Sequence, residues 1–257
     1  MKKFLLQQAV IIVSLMINFT RAHRFGIIGG AATDIESFPF AAAFLVDNKF
    51  KCGSSIISEN CALTAAHCVQ DLDSPARVQL RVGSTFKNEG GQIIQADNII
   101  SHPNYDRLKL NMDFAIIKWK TSLQFEDSVD SVELAGASET LADGTECIVC
   151  GWGRMRNDTR TSQLRSVSVY KVNQEICQKD YNSTRVKFHI VEGTMICAGV
   201  NEGGKDACAG DSGGPLICNS KQFGVVSSGY GCGLPEYPGI YAFVPTIHEW
   251  INEHCAQ

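Results

Sequence analysis

The sequence predicts an all-β protein, a barrel or sandwich of antiparallel strands with one short helix near its C-terminus. Three observations favour this fold class. Short apolar segments recur along the chain, they are rich in β-branched residues, and Gly, Ser, Asn and Asp separate them. The 257 residues suffice for one large globular unit, or two small ones, around substantial cores.

The strand predictions follow the apolar segments in chain order. They cover residues 40–46, 77–82, 92–100, 114–119, 164–170 and 223–227. The segment 121–136 is polar and acidic, and it is predicted to link two halves of the molecule.

A helix is predicted over residues 245–253. Pro245 suits a first helical turn, where its missing N–H is not needed. Ile247, Trp250 and Ile251 would then share one apolar face. A shorter helix is predicted over 173–180.

Charge and cysteine content narrow the class of protein. The net charge of -4 is too small to indicate a nucleic acid or a membrane surface as partner. Eleven cysteines indicate an oxidising compartment. Cys147 and Cys150 form a C-x-x-C pair, but no second pair accompanies it, so neither a metal site nor another cofactor is predicted.

The N-terminus has the features of a secretory signal peptide. Lys2 and Lys3 precede an apolar run over 9–19, and small residues surround a cleavage point after Ala22. This run is short for a membrane span and no later segment qualifies, so we expect a secreted protein without a membrane anchor. Glycosylation sequons begin at Asn157 and Asn182.

Three local patterns offer the groups that serine-dependent amide hydrolysis requires. His67 lies in "TAAHC", Asp113 in "NMDFAIIK" and Ser212 in "GDSGGP". A histidine beside a cysteine is usually structural, and an aspartate before an apolar strand is usually a turn or a cap. Together, in this order in a secreted β-rich chain, they favour a nucleophile, its base and the group that orients the base.

With these motifs the chain resembles the trypsin-like serine proteases of the chymotrypsin family, from "IIGG" at Ile27 to "EWI" at Ile251. The resemblance implies two six-stranded antiparallel barrels with the active site in the cleft between them. The implied division is a signal peptide at 1–22, a short propeptide at 23–26 and a protease domain at 27–257, with the barrel boundary near 121–136.

The resemblance also implies roles for the catalytic residues. His67 is expected to act as general base and then as general acid, and Asp113 to orient and stabilise its imidazolium. Ser212 attacks the carbonyl carbon. The backbone N–H groups of Gly210 and Ser212 are expected to form the oxyanion hole.

Asp206 stands six residues before Ser212, where trypsin-like members carry a carboxylate at the base of the primary specificity pocket. This position implies substrates with Arg or Lys before the scissile bond. Gly229 and Gly239 match the small residues that keep such a pocket open. The backbone from Ser227 to Gly229 is expected to pair with the extended substrate as an added strand.

Two positions depart from the family pattern. Ala207 stands where a serine is common among trypsins, which removes a partner for a lysine ammonium, while an arginine fork can still engage Asp206. We therefore hypothesise a stronger preference for Arg over Lys. Ser228 replaces a tryptophan, which removes an aromatic wall.

Family members are made as zymogens, in which a freed N-terminal ammonium pairs with a buried aspartate. Here that pair is Ile27 and Asp211, and its formation shapes the oxyanion hole. The residue before Ile27 is normally basic, but here it is Gly26. The four residues 23–26 amount to two dipeptides, so the hypotheses are an aminopeptidase that removes dipeptides or a protease that tolerates Gly26.

The resemblance implies four disulfides: Cys52–Cys68, Cys147–Cys218, Cys177–Cys197 and Cys208–Cys232. Cys61, Cys150 and Cys255 remain. We hypothesise a Cys61–Cys255 bridge with Cys150 left free, as a buried thiol or as one that bridges to another molecule. The loop after Gly83 has a single acid, Glu89, which is too few for a calcium site.

The leading hypothesis is a monomeric secreted endopeptidase whose partners are protein or peptide substrates with Arg or Lys, protein protease inhibitors and an activating peptidase. One alternative is a homologue without catalysis that serves as a binding module. Another is an active enzyme with elastase- or chymotrypsin-like preference, should Asp206 lie away from the pocket. Digestive, defence and reproductive roles all fit the sequence.

Overall fold

The computed structural model describes residues 27–155, 161–182 and 188–255. The predicted signal peptide, the propeptide and the sequon at Asn157 lie outside the described residues. The strands are β1 (Ala31–Ala32), β2 (Ala41–Val46), β3 (Lys49–Ser58), β4 (Cys61–Thr64), β5 (Val78–Val82), β6 (Gln92–Gln95), β7 (Asn98–Ser101), β8 (Ala115–Lys118), β9 (Glu146–Gly151), β10 (Arg165–Val172), β11 (Met195–Gly199), β12 (Pro215–Cys218), β13 (Lys221–Ser228) and β14 (Gly239–Phe243). The helices are α1 (Ala66–Val69), α2 (Gln174–Asn182) and α3 (His248–Cys255).

The C-terminal half forms a closed antiparallel barrel of six strands, β9 to β14. β9 closes the ring because Val149 faces Val167 of β10 on one side and Leu216 of β12 on the other. These three apolar side chains are buried and contribute to the core of this barrel. The short strand β1 lies outside this ring and pairs with the first two residues of β10.

The N-terminal half forms a second antiparallel sheet in the order β6-β5-β2-β3-β4-β8-β7. Its two edge strands are halves of one bent segment, in which Ala96 donates to Val78 O at 3.0 Å and Asp97 donates to Lys118 O at 2.8 Å. The sequence predicts a single strand over 92–100, and the structure divides it here because its two halves pair with different neighbours, β5 and β8. The segment thereby connects the two ends of the curled sheet.

The prediction of an all-β antiparallel fold with a short C-terminal helix is confirmed. The second of the two expected six-stranded barrels is closed, whereas the first, in the N-terminal half, is a half-barrel curled from seven strands. The end of the chain begins with a 3-10 turn, Val244–Ile247, and continues as α3. Ile247 and Ile251 are buried against the core of the first barrel, so this terminal helix packs on the half of the molecule that is remote in sequence. Within the described residues, no helix is both long and apolar enough to span a bilayer.

The two barrels meet along β3. Gly53 N–H donates to Ser212 O at 2.8 Å. The buried hydroxyl of Ser55 donates to Gln222 Oε1 at 2.7 Å. These bonds join β3 to the second barrel, and they place the segment that carries Ser212 against the half of the molecule that carries His67.

Five disulfides cross-link the described chain. They are Cys52–Cys68, Cys61–Cys255, Cys147–Cys218, Cys177–Cys197 and Cys208–Cys232. Cys150 is free and buried. The one grouping of potential metal ligands among the described residues is Cys52, His67 and Cys68, but both of its sulfurs are consumed in a disulfide and offer no thiolate.

Candidate active site

The imidazole of His67 is held by one carboxylate. His67 lies on α1, a single turn pinned to β3 by the Cys52–Cys68 disulfide. Its backbone N–H donates to Asp113 Oδ1 at 2.8 Å, and its Nδ1 donates to Asp113 Oδ2 at 2.7 Å. This double contact fixes the ring and places the proton on Nδ1, which leaves Nε2 as the acceptor.

Asp113 is fully buried two residues before β8, and a third donor reaches it from the other barrel. Ser227 Oγ donates to Asp113 Oδ2 at 2.6 Å. The buried carboxylate therefore has the hydrogen-bond partners that a desolvated charge requires. The sequence predicted only that the backbone of Ser227 pairs with the substrate. It did not predict that the hydroxyl of Ser227 binds Asp113.

Ser212 follows a loop whose backbone requires glycine. Gly210 has φ +100° and Gly213 has φ +82°, which is the left-handed region. A Cβ at Gly213 would also lie 2.2 Å from Thr64 Oγ1. The loop therefore lies in close contact with the last residue of β4. That residue comes just before the helical turn that carries His67.

The Sγ atom of Cys68 lies near both His67 and Ser212, which shows that these two catalytic candidates are close together. Cys68 Sγ lies 3.7 Å from His67 Nε2 and 3.8 Å from Ser212 O. Among the described residues, no hydrogen bond joins Ser212 Oγ to His67 itself. Catalytic hydrogen bonds often lengthen in unliganded sites and form fully when substrate is bound.

Asp211 is buried behind the loop and binds two backbone amides. Gly153 N–H donates to Oδ1 at 2.8 Å, and Cys208 N–H donates to Oδ2 at 2.9 Å. Burial raises the pKa of Asp211 to about 6, against the lowering effect of these bonds. Ile27 is fully buried in the core of the same barrel, and the described residues contain no ion pair between it and Asp211, since in the uncut chain its nitrogen is a peptide nitrogen.

A cavity of about 240 Å³ opens beside Ser212 and is also lined by Asp206. Asp206 is only 4% exposed, and its Oδ2 accepts a hydrogen bond from Gly233 N–H at 2.8 Å. Its buried Oδ1 accepts no well-aligned hydrogen bond from the described residues, although the backbone N–H of Ala207 lies near enough to the carboxyl group to lower its pKa. Burial raises the pKa of Asp206 to about 7. An unpaired buried acceptor that faces a cavity indicates a missing donor.

The remaining specificity candidates surround the same cavity. Ser227, Gly229 and Gly239 line it, and so does the methyl group of Ala207. A Cβ at Gly239 would lie 2.9 Å from Asp206 Oδ1, so a larger residue there would cover the carboxylate. The structure thus brings these predicted residues together around one cavity that reaches Ser212.

Comparison with known proteins matches residues 27–251 to the family described as trypsin. Trypsin 5G1 of Aedes aegypti is 38% identical over 229 residues, which cover 88% of this chain and 84% of that protein. The vitellin-degrading protease of Bombyx mori is 35% identical, with 89% and 85% covered. Hypodermin-B of Hypoderma lineatum is 37% identical, with 89% and 87% covered.

Proposed function

This chain belongs to the trypsin family and is a trypsin-like serine endopeptidase, and from that premise we propose that it is secreted as a zymogen and cleaves proteins after Arg and, more slowly, after Lys. The observation that carries the proposed specificity is the unpaired Oδ1 of Asp206 in the cavity beside Ser212. A guanidinium or ammonium placed there would pair a buried charge that otherwise lacks a partner.

The proposed reaction uses His67, Asp113 and Ser212 in two stages. His67 Nε2 takes the proton of Ser212 Oγ while the oxygen attacks the substrate carbonyl carbon. The N–H groups of Gly210 and Ser212 stabilise the oxyanion. His67 then gives the proton to the departing amine, which leaves an acyl-enzyme on Ser212. Water, deprotonated by His67, hydrolyses that ester and restores the serine.

Asp113 serves this cycle without itself taking the proton. Its Oδ2 receives the Nδ1–H of His67 throughout, so the imidazolium forms beside a carboxylate. The hydroxyl of Ser227 shares that oxygen. The contact with Nδ1 holds the ring and leaves Nε2 free to take the proton of Ser212, and the contact with Ser227 holds the carboxylate in place.

Preference for Arg over Lys follows from Ala207. Its methyl group lines the cavity where a hydroxyl would otherwise supply one more acceptor. A lysine ammonium is a strongly hydrated point charge and loses more from this absence than a guanidinium, which can bind Asp206 through two N–H groups.

The zymogen proposal draws on the strained start of the described chain. Ile27 has φ +37°, which is unfavourable for a β-branched residue. Cutting the bond before Ile27 removes that torsion and creates an ammonium close to a buried core. Asp211, whose pKa burial raises, would gain the cation that favours its charged form.

Secretion is proposed from the predicted signal peptide at 1–22 and from the five disulfides, which persist in oxidising compartments. A monomer that meets protein substrates, protein protease inhibitors and an activating peptidase outside the cell is consistent with this setting.

The test of specificity is a panel of peptide anilides that differ only in Arg, Lys, Phe or Ala before the scissile bond. With enzyme that starts at Ile27, we expect the order Arg, then Lys, with Phe and Ala far behind. Asp206→Asn should lower kcat/KM for the Arg substrate about 100-fold or more, because the cation loses its buried partner. Glu202→Gln, which removes an exposed acid upstream in the chain, is the matched control and should have no such effect.

A covalent label separates the enzyme from an inactive binding module. An uncharged phosphonyl fluoride should modify the mature protein at Ser212, and the Ser212→Ala variant should remain unmodified. A correctly processed protein that is inert towards this reagent would contradict the proposed catalytic roles. Labelling combined with faster cleavage after Phe or Ala would retain those roles and contradict the role of Asp206.

A further inference from the structure

A second cavity, of about 280 Å³, borders Gly210. It shares only Ala209 with the cavity that contains Asp206. Its other walls come from Phe50 and Lys51 of β3, from Lys87, and from the segment Trp152 to Arg154 that follows β9. Both barrels thus contribute to it, and the proposed oxyanion loop separates it from the specificity cavity.

The lining of this second cavity is cationic. Lys51, Lys87 and Arg154 contribute to it, and no acidic side chain is among its described lining residues. Lys51 is exposed on β3 and makes no ion pair with any described residue. Its charge is therefore available to a ligand.

Lys87 holds the floor of the cavity in place. It is 8% exposed, its Nζ donates to Trp152 O at 2.8 Å, and it lies 4.4 Å from the centroid of the Phe50 ring. The acid that faces Lys87 is the buried Asp211, whose pKa this lysine lowers. The positive charge of Lys87 is thus partly balanced by the carboxylate of Asp211. The exposed charge of Lys51 is therefore better placed to distinguish acidic from basic ligands.

The path of a bound peptide leads past this cavity. In the proposed function the side chain before the scissile bond enters the Asp206 cavity, and the carbonyl oxygen faces the N–H groups of Gly210 and Ser212. The peptide after that bond must leave by the other side of the oxyanion loop, where the second cavity lies. Side chains alternate along an extended peptide, so one of the next two residues points towards it.

We propose that this cavity binds an acidic side chain, Asp or Glu, within the first two residues after the scissile bond, and that Lys51 is the residue that selects it. This inference rests on the proposed function, because it assumes cleavage beside Ser212. Complementary charge favours such a substrate, and a basic residue at the same place is repelled. The substrate class is therefore a basic residue followed closely by an acidic one.

The test uses mature enzyme and internally quenched peptides with Arg before the scissile bond and Asp, Gln or Lys at the first, second or third position after it. We expect kcat/KM for Asp to exceed that for Lys by about 2- to 30-fold at one of the first two positions, since exchanging an attractive pair with an exposed lysine for a repulsive one is worth about that much. The ratio should fall towards one as salt is raised.

Variants assign the effect to its residue. Lys51→Gln should reduce the ratio of Asp to Lys peptide cleavage, and Lys51→Glu should invert it; a ratio within one preparation does not depend on the fraction of active enzyme. Lys49→Gln removes an exposed cation from the same strand outside the cavity and is the control, which should keep the parent ratio.

Two failures remain distinguishable. Hydrolysis of an Arg anilide, which has no residues after the scissile bond, reports on the proposed function alone, and its absence would overturn that function. Normal anilide hydrolysis with equal cleavage of the Asp and Lys peptides would overturn the acidic subsite. A clear Asp preference that persists in Lys51→Glu would overturn the assignment to Lys51.

Discussion

At the scale of single residues, Asp206 combines two requirements that oppose each other. Its burial provides the low-dielectric setting in which a cation binds strongly, but the same burial raises its pKa to about 7. The carboxyl group of Asp206 is therefore partly protonated near neutral pH. An arriving cation must displace that proton before the ion pair can form.

This competition predicts a pH-dependent affinity. Below pH 7 the neutral acid dominates and a small arylamidine should bind more weakly, whereas above pH 7 the carboxylate is already formed and affinity should level off. Near pH 7, binding should release part of a proton. Calorimetry in buffers of different ionisation enthalpy measures that release, and Asp206→Asn should show none.

A second residue-scale prediction concerns the hydroxyl of Ser227. Ser227→Ala removes the 2.6 Å bond to Asp113 Oδ2 while the contact of that oxygen with His67 remains. We expect kcat/KM to fall about 10- to 100-fold, because a hydrogen bond to a charged group contributes about 1.5–3 kcal/mol. The loss should fall on kcat while KM stays near the parent value, because Ser227 positions the Asp113–His67 pair through its bond to Oδ2; an unchanged kcat would mean that the hydroxyl only fills space.

At the scale of elements, the sequence predicts strands where apolar segments are long and β-branched, such as Val78–Val82 and Ala115–Lys118. It does not mark seven others among the described strands, β1, β3, β4, β9, β11, β12 and β14. In β3 lysines interrupt the apolar pattern, and β12 begins with a proline. It also misses α1, whose single turn is held by the Cys52–Cys68 disulfide and by the contact between His67 and Asp113 rather than by helix propensity.

The candidate site shows the same division. Motifs identify the residues that carry chemistry, but not the side-chain orientation of Ser227. They also do not indicate that Lys87 reaches Trp152, a residue 65 positions later. Such contacts depend on how two barrels pack, and no local pattern in either segment encodes them.

The element-scale prediction concerns α3, which the Cys61–Cys255 bridge fastens to β4. Replacing both cysteines by alanine should lower the free energy of unfolding by about 2–4 kcal/mol, because the bridge restricts the unfolded chain. Activity on an Arg anilide at low temperature should persist, since the bridge lies outside the cavities around Ser212. Denaturant titration measures the loss, and an unchanged midpoint would contradict it.

At the scale of the whole molecule, the start of the domain contacts a loop that lies nearly two hundred residues later in the chain. Ile28 O accepts a hydrogen bond from Asp206 N–H at 3.0 Å, so the first residues already lie beside the specificity cavity. Freeing the nitrogen of Ile27 would add a charge to this contact. Under the proposed specificity for Arg and Lys, the enzyme would not cut after Gly26, so the proposed zymogen would need another protease.

The corresponding prediction is that Gly26→Lys makes the zymogen activate itself. Uncut protein should show an accelerating progress curve with an Arg anilide, because each mature molecule cuts further copies before Ile27. The same change combined with Ser212→Ala should leave the chain uncut. Protein cut cleanly before Ile27 that remains inactive would contradict the Ile27–Asp211 pair.

The Cys61–Cys255 bridge spans 194 positions, and it therefore determines whether a cut in the backbone can be detected by electrophoresis. A single break in the backbone anywhere inside that span yields two pieces that stay tied together. Self-digestion during storage would accordingly leave one band in non-reducing electrophoresis and several after reduction. For this protein, a molecule that stays in one piece can therefore contain a cut polypeptide chain.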